Sequence, residues 1–225
     1  MKFTFVTLFP NLIEPYFYDS ILKRAIEANF ISYEFYNPRD FTTNKHKKVD
    51  AQMVGGGAGM LLVCQPLFDC LNEIKSKDSD AYIIFPLAAA KPFRQNDAKR
   101  LAKKKNIVFV SGRYEGIDER VIEKYANEVF SIGEFVLTGG ELPSLVMADA
   151  IARNVKDVLG NADSLDVESY ENNLLEAPSF TKPEIFQKLS VVKEFLKGNH
   201  SKISDLKIQM SKCKTKYYRP NKEKR

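Results

Sequence analysis

The chain is poor in the residues that build metal and disulfide frameworks. Cys64, Cys70 and Cys213 have no CxxC spacing and only His46 and His200 as further ligands, which argues against a structural zinc site. Three scattered thiols fit a reducing cytoplasm. Long apolar runs are also missing. The longest uncharged stretch, residues 51–68, is interrupted by four glycines, two glutamines and Pro66, so it does not make a membrane-spanning helix. The opening MKFTFVTLFP is too short for a secretion signal, lacks a small-residue cleavage site, and reads as a first β-strand. No G-x-x-x-x-G-K-[ST] or G-x-G-x-x-G occurs, and Gly55-Gly56-Gly57-Ala58-Gly59 has neither the lysine nor, on this reading, a preceding strand. A phosphate-binding NTPase and a Rossmann dinucleotide site are therefore disfavoured.

What is present is an ordinary globular composition, 44% hydrophobic and 28% charged over 225 residues. A chain of this length buries roughly 70–75% of its unfolded surface. Its 34 Lys+Arg against 29 Asp+Glu give a net charge of +5, unevenly spread. Residues 188–225 hold 12 basic and 3 acidic residues, a local +9, which leaves −4 for residues 1–187.

Short β-branched and aromatic runs alternate with helical patterns. The strands are Phe3–Leu8, Ile31–Tyr36, Tyr82–Phe85, Ile107–Val110 and Val129–Ile132; the helices are Tyr18–Ala28, Pro66–Lys75, Asn96–Lys104, Asp118–Ala126 and Pro143–Val155. This rhythm predicts an α/β domain with a mainly parallel sheet. The acidic stretch 160–176, with Asp163, Asp166, Glu168, Glu171 and Glu176, breaks it and reads as a linker. The expected organisation is a catalytic domain over 1–159, a linker over 160–176 and a small basic helical domain over 177–225.

Two glycine loops follow adjacent predicted strands. Ile107–Val110 runs into Ser111-Gly112-Arg113-Tyr114-Glu115-Gly116, and Val129–Ile132 runs into Gly133-Glu134-Phe135-Val136-Leu137-Thr138-Gly139-Gly140. Ligands of open parallel sheets bind outside the carboxyl ends of strands, where glycine lets backbone approach the ligand. Walls of Leu, Ile and Phe with few charges suit an adenosine-like molecule of little negative charge. Taken alone, either loop could be no more than a tight turn.

GRYEGIDER at 112–120, SIGEFVLTGGELP at 131–143, VDAQMVGGGAGM at 49–60 and KGNHSKI at 197–203 resemble the signatures of bacterial tRNA (guanine-N(1)-)-methyltransferases of the SPOUT class. Arg39-Asp40-Phe41 and Val158-Leu159-Gly160 match too, so the likeness spans nearly the whole chain. It implies methyl transfer from S-adenosylmethionine to N1 of the guanosine 3′ of the anticodon, when another guanosine precedes it. It implies a trefoil-knotted catalytic domain, one of the rare exceptions to unknotted topology, and an active site completed across a homodimer. The family is usually magnesium-dependent. Carried over by position, the donor site comprises Gly112, Tyr114 and Glu115, then Ile132, Gly133, Glu134, Phe135, Val136 and Leu137, with Gly139 and Gly140 behind. Pro86 and Leu87 add a further wall, although the segment 86–92, PLAAAKP, is less polar than the family's loop.

Methylating a lactam nitrogen requires a base for its proton and a cation near the 6-oxo group. The family's aspartate base matches Glu168, and its helix arginine matches Arg153, fifteen residues earlier. Glutamate for aspartate keeps the carboxylate and lengthens its reach, and Asp166 is a rival. The +9 segment, interleaved with Phe195, Tyr217 and Tyr218, is the expected tRNA grip, with His200 structural or on a phosphate. The alternative is a non-enzymatic RNA-binding module with a degenerate donor site, against which the intact GRYEG and TGGELP segments speak.

Overall fold

Alternation along the central strands divides the core in two. In β1 (Lys2–Val6) the buried rings of Phe3 and Phe5 point to one face and Val6 to the other, and β6 (Asn106–Val110) repeats this with Ile107 and Phe109 against Val108 and Val110. A strand that is apolar on both sides needs a helix layer on each. One layer is α1 (Ser20–Glu27), α3 (Gln95–Leu101) and α5 (Glu141–Ala152); the other is α2 (Cys64–Lys77) and α4 (Glu119–Tyr125). Between them lies a five-stranded, wholly parallel sheet in the order β2-β1-β6-β5-β7, with β2 at Ser32–Tyr36, β5 at Tyr82–Pro86 and β7 at Glu128–Phe130.

The computed structural model describes residues 1–160, 168–170 and 173–219. The chain divides into two compact units, Met1–Gly160 and Asn161–Arg225. Among the described residues no helix is long and apolar enough to cross a membrane.

Three local features depart from the sequence expectations. The first predicted helix begins two residues late, because Pro10 and Pro15 open 3₁₀ turns at Pro10–Leu12 and Glu14–Tyr18 and Asp19 then caps α1. The uncharged stretch 51–68 contains an antiparallel hairpin, β3 (Asp50–Gln52) and β4 (Met60–Leu62). A strand therefore does precede the glycine run, contrary to expectation. Gly55, Gly56, Gly57 and Gly59 at its tip have φ between 86° and 131°, a region only glycine enters freely. In the second unit, expected to be helical, a two-stranded hairpin, β8 (Ile185–Phe186) and β9 (Leu189–Ser190), precedes the 19-residue α6 (His200–Tyr218). Its turn residues Gln187 and Lys188 both have positive φ, the I′ geometry without the usual Asn-Gly signal.

Candidate active site

Three strands with adjacent carboxyl ends supply the walls of one cavity. Leu87 N donates to Phe130 O and Phe93 N to Ser131 O, tying the loop after β5 to the end of β7. Gly140 N donates to Gly112 O at 2.8 Å, and the buried Ser111 and Ser144 hydroxyls meet at 3.0 Å, tying the loop after β6 to the start of α5. A Cβ on Gly140 would lie 2.7 Å from Gly112 N and 2.8 Å from Ser111 Cα, so no larger residue fits this crossing. Tyr114 adopts a left-handed φ of 60°, which turns the loop sharply at the cavity edge.

Of the residues expected to hold a donor, Pro86, Leu87, Gly112, Tyr114, Glu115, Ile132, Gly133, Phe135, Val136, Leu137, Gly139 and Gly140 all line this cavity. Glu134, expected with them, is exposed and does not line it. The Phe135 ring folds back over Gly133, where a Cβ would come within 2.2 Å of it. Ile117, Phe130 and Pro143 complete the apolar wall without having been singled out in the sequence. Among the described residues Arg113 and Glu115 are the only charged ones lining it. Arg113 is committed elsewhere: its Nε lies 2.8 Å from Glu141 Oε2, its Nη1 donates to Thr138 O and its guanidinium covers the Phe9 ring. The opposite Glu141 oxygen accepts from the Thr7 hydroxyl at 2.7 Å. That leaves Glu115 as the one carboxylate of the cavity among the described residues, with Gly59 of the β3–β4 tip packed against it.

This geometry, a glycine-jointed cavity over the carboxyl ends of β6, β5 and β7, sits on the segments 112–120 and 131–143. A model of the family described as tRNA (Guanine-1)-methyltransferase TrmD matches residues 1–225. The chain belongs to this family. It is 66% identical over 220 residues to a tRNA (guanine-N(1)-)-methyltransferase of Sulfurimonas denitrificans, covering 98% of this chain and 95% of that protein. Proteins of the same name from Campylobacter curvus and Campylobacter jejuni are 62% and 59% identical, each over 98% of this chain and at least 94% of their own length.

As a tRNA (guanine-1)-methyltransferase the chain is an enzyme, and its remaining candidate residues lie on both units. Arg153 follows the last residue of α5 and is half-buried, with its backbone N–H on Asp149 O. Burial raises the Asp149 carboxyl above its usual range, and the Arg153 charge and the Tyr16 hydroxyl offset part of that rise. Glu168 is described and half-buried in the second unit, and Asp166 lies outside the described residues. On α6, Lys202, Lys207, Lys212 and Lys216 are exposed, and Asn199 caps the helix by accepting from Lys202 N. The Phe180 and Phe195 rings, 5.8 Å apart, stand over a groove flanked by Lys182 and Lys207.

Proposed function

We propose that this enzyme binds S-adenosylmethionine in the cavity over β6, β5 and β7 and methylates N1 of the guanosine 3′ of the anticodon when a second guanosine precedes it. The observation that carries the reading is the cavity's make-up. Apolar walls from Leu87, Ile132, Leu137 and Pro143 suit an adenine ring, and the glycines at 112, 133, 139 and 140 let the backbone of the wall approach a ligand closely. When bound, S-adenosylmethionine supplies an electrophilic methyl group on a cationic sulfur. Glu115 is placed to face the positive end of such a molecule. The Glu168 carboxylate takes the N1 proton, the Arg153 guanidinium stabilises the negative charge that develops on O6 as that proton leaves, and N1 takes the methyl group as its bond to sulfur breaks and S-adenosylhomocysteine departs. The guanosine reaches the donor by leaving its base stack.

A homodimer fits the outer face of α5. Leu142 and Val146, 55% and 44% exposed, share with Asp149 and Arg153 the i, i+3, i+4 stripe of one helix face. A partner copy covering Leu142 and Val146 would come within reach of Arg153. The knot, the cytoplasmic location and the magnesium requirement follow from the family resemblance. Among the described residues no three His, Cys, Asp or Glu side chains converge on a metal position. Titration calorimetry with S-adenosylmethionine is the test: saturable binding at micromolar to sub-millimolar donor supports the reading, and no heat at millimolar donor contradicts it.

A further inference from the structure

Residues 1–160 hold 21 basic and 20 acidic side chains, so this unit is close to neutral overall, yet it presents a concentrated basic turn beside the cavity. Lys45, His46, Lys47 and Lys48 are four consecutive exposed residues. Among the described residues none of the three ammonium groups pairs with a carboxylate. The turn that carries them is held from several sides. Lys47 N donates to Asn44 O and His46 N to Asn44 Oδ1, Thr42 Oγ1 donates to Lys48 O at 2.8 Å, and Arg39 Nη1 donates to Lys47 O at 2.6 Å. At its base Gln65 accepts from Thr43 N and donates to Phe41 O. The backbone is thus ordered before any partner arrives, which lowers the entropic cost of binding through it.

Its position follows from the hairpin. Val63 N donates to Val49 O, Asp50 pairs with Leu62, and Leu62 bridges to Ile117, a residue of the cavity wall. Two inter-strand spacings of about 4.8 Å therefore separate Asp50 from Ile117, and Lys48 lies two residues before Asp50. Three cations that pair with no carboxylate among the described residues, on a fixed turn continuous with the hairpin that adjoins the cavity wall, suit a chain of phosphates. We propose that Lys45, Lys47 and Lys48 form a phosphate-contact site for the tRNA strand that enters the cavity, separate from the basic C-terminal segment. The inference rests on tRNA being the substrate and deepens that reading.

The test compares the intact protein with the triple variant Lys45→Gln/Lys47→Gln/Lys48→Gln and with the triple Lys→Arg variant. Binding of a fluorescent tRNA transcript with adjacent guanosines is followed from 50 to 200 mM salt. Each lost phosphate contact flattens the slope of log Kobs against log salt by about 0.7–0.9, so the Gln variant should be shallower by about 2 and bind at least tenfold more weakly at the low-salt end. The Arg variant should keep the intact slope, and calorimetry should give all three proteins the same affinity for S-adenosylmethionine. An unchanged slope in the Gln variant, or an equal loss in the Arg variant, overturns the proposal. Failure of the intact protein to methylate the transcript would instead contradict the function proposed above.

Discussion

Arg113 Nε and Glu141 Oε2 stand 2.8 Å apart, in an ion pair that joins the loop after β6 to the first turn of α5. The arginine is 17% exposed and the glutamate 2%, and neither atom meets hydrogen-bond geometry toward the other, so the contact is Coulombic. Glu141 also sits at a helix N-terminus, where the backbone N–H groups favour a negative charge. Removing one member of such a pair strands the other charge. Glu141→Gln, which keeps an acceptor for Thr7, should cost about 3 kcal/mol in stability. The double variant Arg113→Met/Glu141→Gln should recover much of it. Urea unfolding of the three proteins, read by midpoint, checks the order.

Gly140 and Gly160 make a steric contrast. A methyl at Gly140 would meet backbone atoms of Gly112 and Ser111 at 2.7–2.8 Å, whereas one at Gly160 meets nothing within 4 Å among the described residues. Backbone cannot swing aside as a side chain does. Gly140→Ala should therefore push the two cavity loops apart and weaken S-adenosylmethionine binding at least tenfold, and Gly160→Ala should leave it unchanged. Equal affinities in calorimetry would show that the crossing does not shape the donor site.

Glu128 anchors the outer end of the sheet and governs a pH effect. Burial by itself would raise its carboxyl, but Lys91, Tyr82 and Arg100 more than offset that and hold it below the ordinary 4.5. A carboxyl lowered in the folded state adds stability that is present above about pH 4.5 and lost as pH falls through its folded value. Glu128→Gln should lower the urea midpoint at pH 7 and narrow the difference between pH 7 and pH 3.5. Lys91 follows the loop that bears Pro86 and Leu87, so the same variant should loosen donor binding modestly.

Arg153 and Glu168 should separate chemistry from donor binding. Arg153→Ala is expected to lower single-turnover methyl transfer at least tenfold, and Glu168→Gln by about 10² to 10⁴, each with donor affinity nearly intact. Asp166→Ala should transfer at close to the intact rate. Loss in the Asp166 variant alone would move the base to that position.

Much of the architecture is legible in the sequence because burial dictates it. The fully apolar run Ile107–Val110 has to be a central strand, and the two glycine loops after β6 and β7 fall where parallel sheets place their sites. The β3–β4 hairpin escaped because three-residue strands flanking a glycine run carry no readable alternation. The Arg113–Glu141 pair escaped for another reason. Its partners lie 28 positions apart and meet only once the loops cross at Gly112 and Gly140. The −4 of residues 1–187 likewise concealed the lysine turn at 45–48, because a net charge averages over a surface that the fold later sorts. The trefoil knot that the family resemblance implies has no signature in periodicity at all.

The proposed activity is methyl transfer to one ring nitrogen of one guanosine. Single-turnover reaction of the intact protein with S-adenosylmethionine and two tRNA transcripts, differing only in whether a guanosine precedes the one 3′ of the anticodon, measures it directly. The expected result is 1-methylguanosine at that position in the transcript with adjacent guanosines and at least a hundredfold slower transfer in the other. Equal rates on both transcripts, or a methyl group on any other atom, would contradict it.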